Sequence, residues 1–180
     1  MFNVAGIERF SIVDGEGWRY VIFFQGCSHQ CEGCHNPETW EFSTGKVMTE
    51  EDILNDLQEC DADRVLDITL SGGDPFFQAE QILNLCKTLK EIGYNIWAYT
   101  GFDFEDFLNY KKNKDKADTN TKVTKAMVDL LKYIDVLVDG RFILCNRTMD
   151  LSYRGSTNQR LIDVQKSLKR KKTVLYDLED

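Results

Sequence analysis

Three thiols close together are the feature of this sequence most able to do chemistry. Cys27, Cys31 and Cys34 follow a short apolar segment at the spacing Cys-x3-Cys-x2-Cys. The surrounding residues include types that avoid regular structure, so a loop that wraps around a metal centre is predicted. Thiolates are soft ligands that favour zinc or iron–sulfur clusters.

The number of ligands distinguishes the two kinds of metal centre. A structural zinc site takes four protein ligands, and His29 or His35 could supply the fourth. A cubane iron–sulfur cluster normally takes four Cys, so three would leave one iron open to a small molecule. The loop alone favours neither centre over the other, and a packing role for all three thiols is the weaker interpretation.

The other three cysteines are scattered along the chain. Cys60 and Cys86 fall on the apolar faces of predicted helices, where a buried and inert thiol is usual. Cys145 lies in a loop after a predicted strand and is expected to pack rather than to bind a metal. The three thiols of the loop are therefore the predicted ligand set.

A second motif, Ser-Gly-Gly-Asp-Pro at residues 71–75, lies between a predicted strand and a predicted helix. In a structural interpretation, Asp74 caps a helix that begins at Pro75, and the two glycines form the turn. In a functional interpretation, Gly72 and Gly73 let a ligand approach the backbone, while Asp74 accepts a hydrogen bond from an ammonium group. Beside a cluster with an open iron, the functional interpretation is favoured.

Short segments rich in β-branched and aromatic residues predict four buried strands, at residues 20–24, 66–70, 95–100 and 134–138. Helical patterns lie between them. One helix is capped by Thr49 with Asp52 in a capping box, and another runs from about Gln78 to Ile92 with Gly93 as its C-cap. This alternation predicts a parallel sheet with right-handed crossovers, in which sites form at the carboxyl ends of the strands.

The length limits the fold. A chain of 180 residues with 42% hydrophobic content suits a single domain over residues 1–180. A complete (β/α) barrel needs about 250 residues. The predicted fold is therefore α/β, an open, partial (β/α) barrel with a mostly parallel sheet. Residues 111–122 have almost no apolar side chain and predict a mobile surface loop.

Charge and composition exclude several classes of function. The net charge of -8 and the pI near 4.9 argue against nonspecific electrostatic binding to nucleic acid, so no nucleic-acid partner is expected. The basic run within residues 166–172 is expected to be a solvated face rather than a docking patch. No apolar segment approaches the roughly 18 residues needed to cross a bilayer, and no secretion signal is visible. A reducing cytoplasm and no membrane association are predicted.

Together the two motifs resemble the signature of the radical S-adenosylmethionine (SAM) superfamily, in which a Gly-Gly-Glu-type motif follows the second strand. Here Asp74 stands where the family usually has Glu. Closer resemblance, to the activating enzymes of anaerobic ribonucleoside-triphosphate reductase, covers residues 26–40, 70–75, 97–101, 134–142 and 154–164. The last two segments are the most discriminating, because a generic radical SAM domain does not require them.

The resemblance implies a cofactor site. It implies a 4Fe-4S cluster on Cys27, Cys31 and Cys34, with the open iron chelated by the amino and carboxylate groups of SAM. The cofactor-binding residues it implies are Gly33, Cys34, His35, Gly72, Gly73 and Asp74. Many members have an aromatic residue before the third Cys, where it touches the adenine; Gly33 stands there, and His35 is the candidate substitute by position.

The resemblance also implies the reaction of an enzyme. A flavodoxin- or ferredoxin-type donor loads one electron into the cluster. The sulfur–C5′ bond of SAM then breaks, giving methionine and a 5′-deoxyadenosyl radical. That radical removes a hydrogen from the α-carbon of a glycine in the large subunit of the reductase. No catalytic side-chain acid or base is implied, because the cofactor carries the chemistry and the protein orients it.

Three alternatives stay open at the level of sequence. The protein could activate another glycyl-radical enzyme, such as pyruvate formate-lyase. It could be a radical SAM enzyme with a small-molecule substrate, although so short a chain leaves little to build a substrate pocket. It could also be a zinc-binding interaction module without enzymatic activity, which metal analysis would distinguish from all the enzymes.

Overall fold

The computed structural model describes residues 1–61, 65–110 and 123–178. The surface loop predicted at residues 111–122 lies outside the described residues. Within them, none of the helices has the length and apolarity to cross a bilayer.

Over the described residues the chain forms a seven-stranded sheet and five α-helices. The strands are β1 (Phe2–Ser11), β2 (Trp18–Phe24), β3 (Lys46–Met48), β4 (Leu66–Gly72), β5 (Ile96–Tyr99), β6 (Val136–Asp139) and β7 (Arg160–Asp163). The α-helices are α1 (Glu50–Cys60), α2 (Ala79–Ile92), α3 (Phe104–Leu108), α4 (Lys125–Leu130) and α5 (Val164–Arg170).

The strand order is β3-β1-β2-β4-β5-β6-β7. The central strands β2, β4, β5 and β6 are parallel to one another, and they are the four strands that the sequence predicts. The flanking strands β1, β3 and β7 pair antiparallel with their neighbours. An α/β fold with an open sheet that is parallel at its centre is therefore confirmed.

The two predicted helix ends are also confirmed. The Thr49 hydroxyl accepts a hydrogen bond from the Asp52 amide at 3.1 Å, and the Asp52 carboxylate accepts one from the Thr49 amide at 2.8 Å. This capping box starts α1 one residue after Thr49. At the C-terminal end of α2, Gly93 has φ of +105°, a left-handed conformation that glycine adopts without steric cost.

The sheet has two unlike faces. Along β5, Ile96 and Ala98 pack into the large apolar core, whereas Trp97 and Tyr99 belong to a smaller cluster on the opposite face. All five helices contribute side chains to the large core and none to the smaller cluster. Helices on one face of an open, curved sheet are the arrangement of a partial barrel, since a doubly wound sheet is covered on both faces.

Arg19 holds the central strands together on the face without helices. Its guanidinium donates to the Ile68 carbonyl at 3.1 Å and to the Asn95 side chain at 3.0 Å. It also lies 5.0 Å from the centre of the Trp97 ring, a cation–π contact. Burial lowers the pKa of Arg19. The contacts join β2, β4 and β5 at the end of the strands opposite the cysteine loop.

A buried ion pair fixes β6 against β7. Arg160 bonds Asp139, whose side chain is only 1% exposed, and it pairs in a bidentate manner with Glu105 at 3.1 and 2.7 Å. We expect Arg160→Met to lower the free energy of unfolding by about 3–5 kcal/mol, because it leaves a buried carboxylate without its cation. Urea unfolding at neutral pH measures this loss.

The ion pair between Arg160 and Glu105 predicts that the stability of the fold depends on pH. Hydrogen bonding from Arg160 lowers the pKa of Glu105 to about 2. Since the folded pKa lies below the ordinary value, the stabilisation is present above roughly pH 4.5 and is lost as the pH falls toward 2. In Arg160→Met, the free energy of unfolding should fall less steeply as the pH is lowered. A variant as stable as the unmodified protein at pH 7 would contradict the assignment.

Candidate metal centre

The carboxyl ends of the parallel strands meet at one edge of the sheet. The cysteine loop follows β2, and the Gly-Gly-Asp corner begins at the last residue of β4. In the register of these neighbours Phe24 lies opposite Gly72, so the two motifs leave the sheet side by side. Residues 100–101 after β5 and residues 140–142 after β6 complete this edge.

Backbone hydrogen bonds close the cysteine loop into a ring. The Gly26 amide donates to the Thr39 carbonyl at 2.7 Å, and the Cys27 amide donates to the Trp40 carbonyl at 3.0 Å. The buried Gln25 side chain donates to two further carbonyls of the returning segment. The first cysteine is therefore held on both sides before any metal binds.

The turn before the third cysteine explains the residue at position 33. Gly33 has φ of +72°, and the Cys34 amide donates to the Cys31 carbonyl at 3.1 Å. A Cβ atom at this position would lie 2.8 Å from Cδ1 of Leu144. Backbone conformation and space thus both favour glycine here.

The three thiols line one cavity of about 110 Å³, together with Trp40 and Gly73. Cys27 is buried, and that burial raises the pKa of its thiol to about 12. Burial raises the pKa of Cys31 as well. A metal centre that binds here must displace protons from these thiols, because metals bind the thiolate form.

Backbone amides favour the thiolate form of the three sulfurs. The Asn36 amide donates to the Cys34 sulfur at 3.4 Å. The amides of His29 and Gln30 act to lower the pKa of Cys27, and the Phe142 amide acts to lower that of Cys31. Such donors stabilise a ligating thiolate and tune the potential of a cluster that it holds.

The cavity suits a sulfur-rich cluster. Trp40 Nε1 is buried and has no acceptor among the described residues, although an indole N–H can only donate. A buried donor without a partner costs about 1–3 kcal/mol, and a cluster sulfide in the cavity that Trp40 lines would provide an acceptor. Cys60, Cys86 and Cys145 do not line the cavity. Among the described cysteines, three line the cavity; that they hold a cubane cluster and leave one iron without a protein ligand stays a prediction.

A second cavity, of about 510 Å³, adjoins the first. Cys34 and Tyr99 line both, and His35, Gly72 and Arg154 line the second only. Its volume lies in the range of about 300–1,000 Å³ that is typical of small-molecule sites. A ligand in it would lie beside the third thiol.

Residues 13–162 match the family described as "4Fe-4S single cluster domain". A relative from Haemophilus influenzae is 37% identical over 155 residues, which cover 82% of this chain and 89% of the relative. A relative from Enterobacteria phage T4 is 34% identical over 163 residues, or 88% and 92% of the two chains. Both are named anaerobic ribonucleoside-triphosphate reductase-activating protein. The chain belongs to this family.

Among solved structures, QueE from Escherichia coli is similar to this member of the activating-protein family with a TM-score of 0.46. The two are 18% identical, and the match covers 56% of this chain and 52% of QueE. Likeness at that level does not establish a shared fold.

In this activating-protein family member, the predicted cofactor residues divide between the two cavities. Cys34, His35 and Gly72 line the larger cavity, and Gly73 lines the thiol cavity. Gly33 lines neither of them. The contacts of all these residues with SAM stay predictions.

Asp74 also lies outside both cavities. Its side chain is 1% exposed, and Oδ1 accepts a hydrogen bond from the Phe76 amide at 2.9 Å. The structural interpretation of Asp74 as the cap of a helix that begins at Pro75 is therefore confirmed, although this first turn is a 3₁₀ helix that leads into α2. A direct contact between Asp74 and SAM stays a prediction.

The two glycines of the corner have a structural reason as well. A Cβ atom at Gly73 would lie 2.5 Å from the Gly26 carbonyl oxygen, and one at Gly72 would lie 2.5 Å from the Phe24 amide nitrogen. Gly72 also has φ of +94°. The close approach of this corner to the cysteine loop therefore requires glycine at both positions.

Sequence reasoning missed several residues of the site. Phe142, whose amide acts to lower the pKa of Cys31, and the indole of Trp40 were not assigned to it. Arg141 lines the thiol cavity, and its charge partly opposes the rise that burial causes in the pKa of Cys31. The only signal for residues 141 and 142 was their place in a segment with family resemblance.

His35 is expected to contribute to cofactor affinity. Its ring lies 5.1 Å from the ring of Phe142 at the wall of the larger cavity. Since stacking of a base on an aromatic side chain is worth about 1–3 kcal/mol, we expect His35→Ala to weaken SAM binding about tenfold. His35→Phe keeps an aromatic ring, so its affinity for SAM should stay close to that of the unmodified protein. Equal SAM affinity for the two variants, measured by titration of the reduced cluster, would contradict a stacking role.

Proposed function

We propose that this protein cleaves SAM reductively at a 4Fe-4S cluster and generates a glycyl radical on anaerobic ribonucleoside-triphosphate reductase. One observation carries the proposal: Cys27, Cys31 and Cys34 line a single cavity that opens next to a larger one. Three thiolates would hold three irons and leave the fourth iron for SAM. The family supports the reductase as the partner.

A cluster held by Cys27, Cys31 and Cys34 would supply one electron to the sulfonium of SAM. The sulfur–C5′ bond would then break into methionine and a 5′-deoxyadenosyl radical, which would take a hydrogen atom from a glycine α-carbon of the partner. The chain itself binds and orients. Backbone amides act to lower the pKa of Cys27 and Cys31, and the Gly-Gly corner keeps the backbone close to the cysteine loop. His35 and Phe142 provide rings at the wall of the larger cavity.

This function assigns no side-chain acid or base. The buried carboxylate of Asp74 already accepts hydrogen bonds from the Phe76 and Gly101 amides and from Thr100 Oγ1. A flavodoxin- or ferredoxin-type protein is the proposed electron donor.

The test combines reduced protein, SAM and purified reductase, and it records the electron paramagnetic resonance spectrum. We expect the doublet of a glycyl radical. A doublet with pyruvate formate-lyase but none with the reductase would reassign the partner. No doublet with either enzyme would favour a small-molecule substrate, and zinc in place of iron in anaerobically purified protein would favour the interaction module.

A further inference from the structure

His29, which lines the thiol cavity, forms a buried pair with Asp74, which lies outside that cavity. His29 Nε2 lies 3.0 Å from Asp74 Oδ2, and the two side chains are 3% and 1% exposed. They are 45 positions apart in the sequence. His29 sits in the cysteine loop between the first and second thiol, whereas Asp74 belongs to the Gly-Gly-Asp corner. The pair therefore joins the two motifs directly.

Asp74 is a junction of three segments. Its Oδ2 atom accepts hydrogen bonds from Thr100 Oγ1 and from the Gly101 amide, both at 2.9 Å, in addition to the contact with His29. Its own amide donates to the Gly26 carbonyl at 3.1 Å. Because a carboxylate only accepts hydrogen bonds, His29 Nε2 is assigned as the protonated nitrogen.

The imidazole of His29 has little freedom to turn. The ring of Phe102 lies 4.8 Å away at 75°, and the ring of Phe77 lies 5.3 Å away at 51°. On a third side, a Cβ atom at Gly101 would lie 2.4 Å from His29 Cδ2. The backbone amide of His29 acts to lower the pKa of the Cys27 thiol, against the larger effect of burial. The side chain is thus anchored on the corner, while its main chain belongs to the loop that carries Cys27.

We propose that His29 is a positioning residue that sets the cysteine loop against the Gly-Gly-Asp corner through its hydrogen bond to Asp74. The inference rests on the proposed function, in which the loop holds the cluster and the corner borders the bound SAM. The pair holds the cysteine loop at a fixed distance from the corner. It also gives the buried carboxylate a role other than contact with SAM.

The test compares two amide variants that differ by one methylene group. His29→Gln can place its amide nitrogen near the position of Nε2 and keep the bond to Asp74, whereas His29→Asn is too short to reach. Thr100→Val is the matched control, because it removes a different donor from the same Asp74 oxygen. For each protein the iron content, the thermal unfolding midpoint and the affinity for SAM are measured. Affinity is read from the SAM-induced change in the resonance spectrum of the reduced cluster.

We expect all three variants to retain iron. His29→Asn should need at least about tenfold more SAM to produce the spectral change, the scale usual for loss of a partner that orients metal ligands. The SAM affinities of His29→Gln and Thr100→Val should stay within about threefold of that of the unmodified protein. Thr100→Val should nevertheless have a lower thermal unfolding midpoint, as His29→Asn does.

Three results would overturn the inference. The first is a normal SAM affinity for His29→Asn. The second is equal weakening in the Gln and Asn variants, which would show that the imidazole itself matters and not its bond to Asp74. The third is loss of iron in His29→Asn, which would place the pair in cluster assembly rather than in coupling the two motifs. If the unmodified protein holds a cluster but neither binds nor cleaves SAM, the proposed function fails instead.

Discussion

Alanine in place of any one of Cys27, Cys31 and Cys34 is expected to reduce the iron of anaerobically prepared protein from roughly four per chain to nearly none. The three thiols line the same cavity, and the remaining cysteines do not line it, so each variant would leave only two protein ligands. The broad thiolate-to-iron absorption should disappear together with the iron. Iron and sulfide analysis after reconstitution measures the effect.

The other cysteines provide matched controls. Cys60 lies at the end of α1, Cys86 is fully buried in α2, and Cys145 is exposed after β6. Cys60→Ala, Cys86→Ala and Cys145→Ala should all keep their iron, although Cys86→Ala removes a buried sulfur and should lower the stability. Iron loss in any of these three variants would show that the ligand set is wrong.

The central sheet could be predicted because its strands are buried on both faces. Residues 20–24 are a continuous run of aromatic and β-branched residues, residues 66–70 place Leu, Ile and Leu at alternate positions, and in the structure β2 and β4 are largely buried. The capping box of α1 was equally clear, since it depends only on the neighbouring residues Thr49 and Asp52.

The flanking strands could not be predicted in this way. β1 contains Gly6, Glu8 and Arg9, and its pairing with β2 shifts register, so neither an apolar run nor regular alternation marks it. β3 has three residues, which is too short for a periodic pattern, and β7 has only two apolar residues between the charged Arg160 and Asp163. Tertiary pairing, not local sequence, creates these strands.

The site also divides into features that the sequence predicts and features that it does not. The three thiols could be grouped from their spacing, because residues on one short loop are close in sequence as well as in space, and the structure places all three on one cavity. The contact between His29 and Asp74 joins distant positions, and the Phe142 amide that acts on the pKa of Cys31 is a backbone group that any residue other than proline carries. Neither has a signal in one sequence.

Cleavage of SAM should be slow in the isolated protein and fast with the reductase. Val13 and Met149 line the larger cavity and are 71% and 84% exposed, and Ile12, the sequence neighbour of Val13, is 60% exposed; these three residues are called the rim. An exposed apolar rim is typical of a surface that a protein partner covers. We expect the reductase to raise the rate of 5′-deoxyadenosine formation by at least about tenfold, which corresponds to about 1.4 kcal/mol of barrier.

A charge on the rim tests whether the reductase covers it. Ile12 is exposed but does not line the cavity, so Ile12→Asp should leave SAM cleavage without the partner unchanged. It should raise the reductase concentration needed for half-maximal stimulation about tenfold, the cost of losing an apolar anchor of an interface. Val47→Asp, on the edge strand β3 and 59% exposed, adds the same charge elsewhere and should leave that concentration unchanged. If the two variants behave alike, or if 5′-deoxyadenosine forms equally fast with and without the reductase, the partner does not complete the site at this rim.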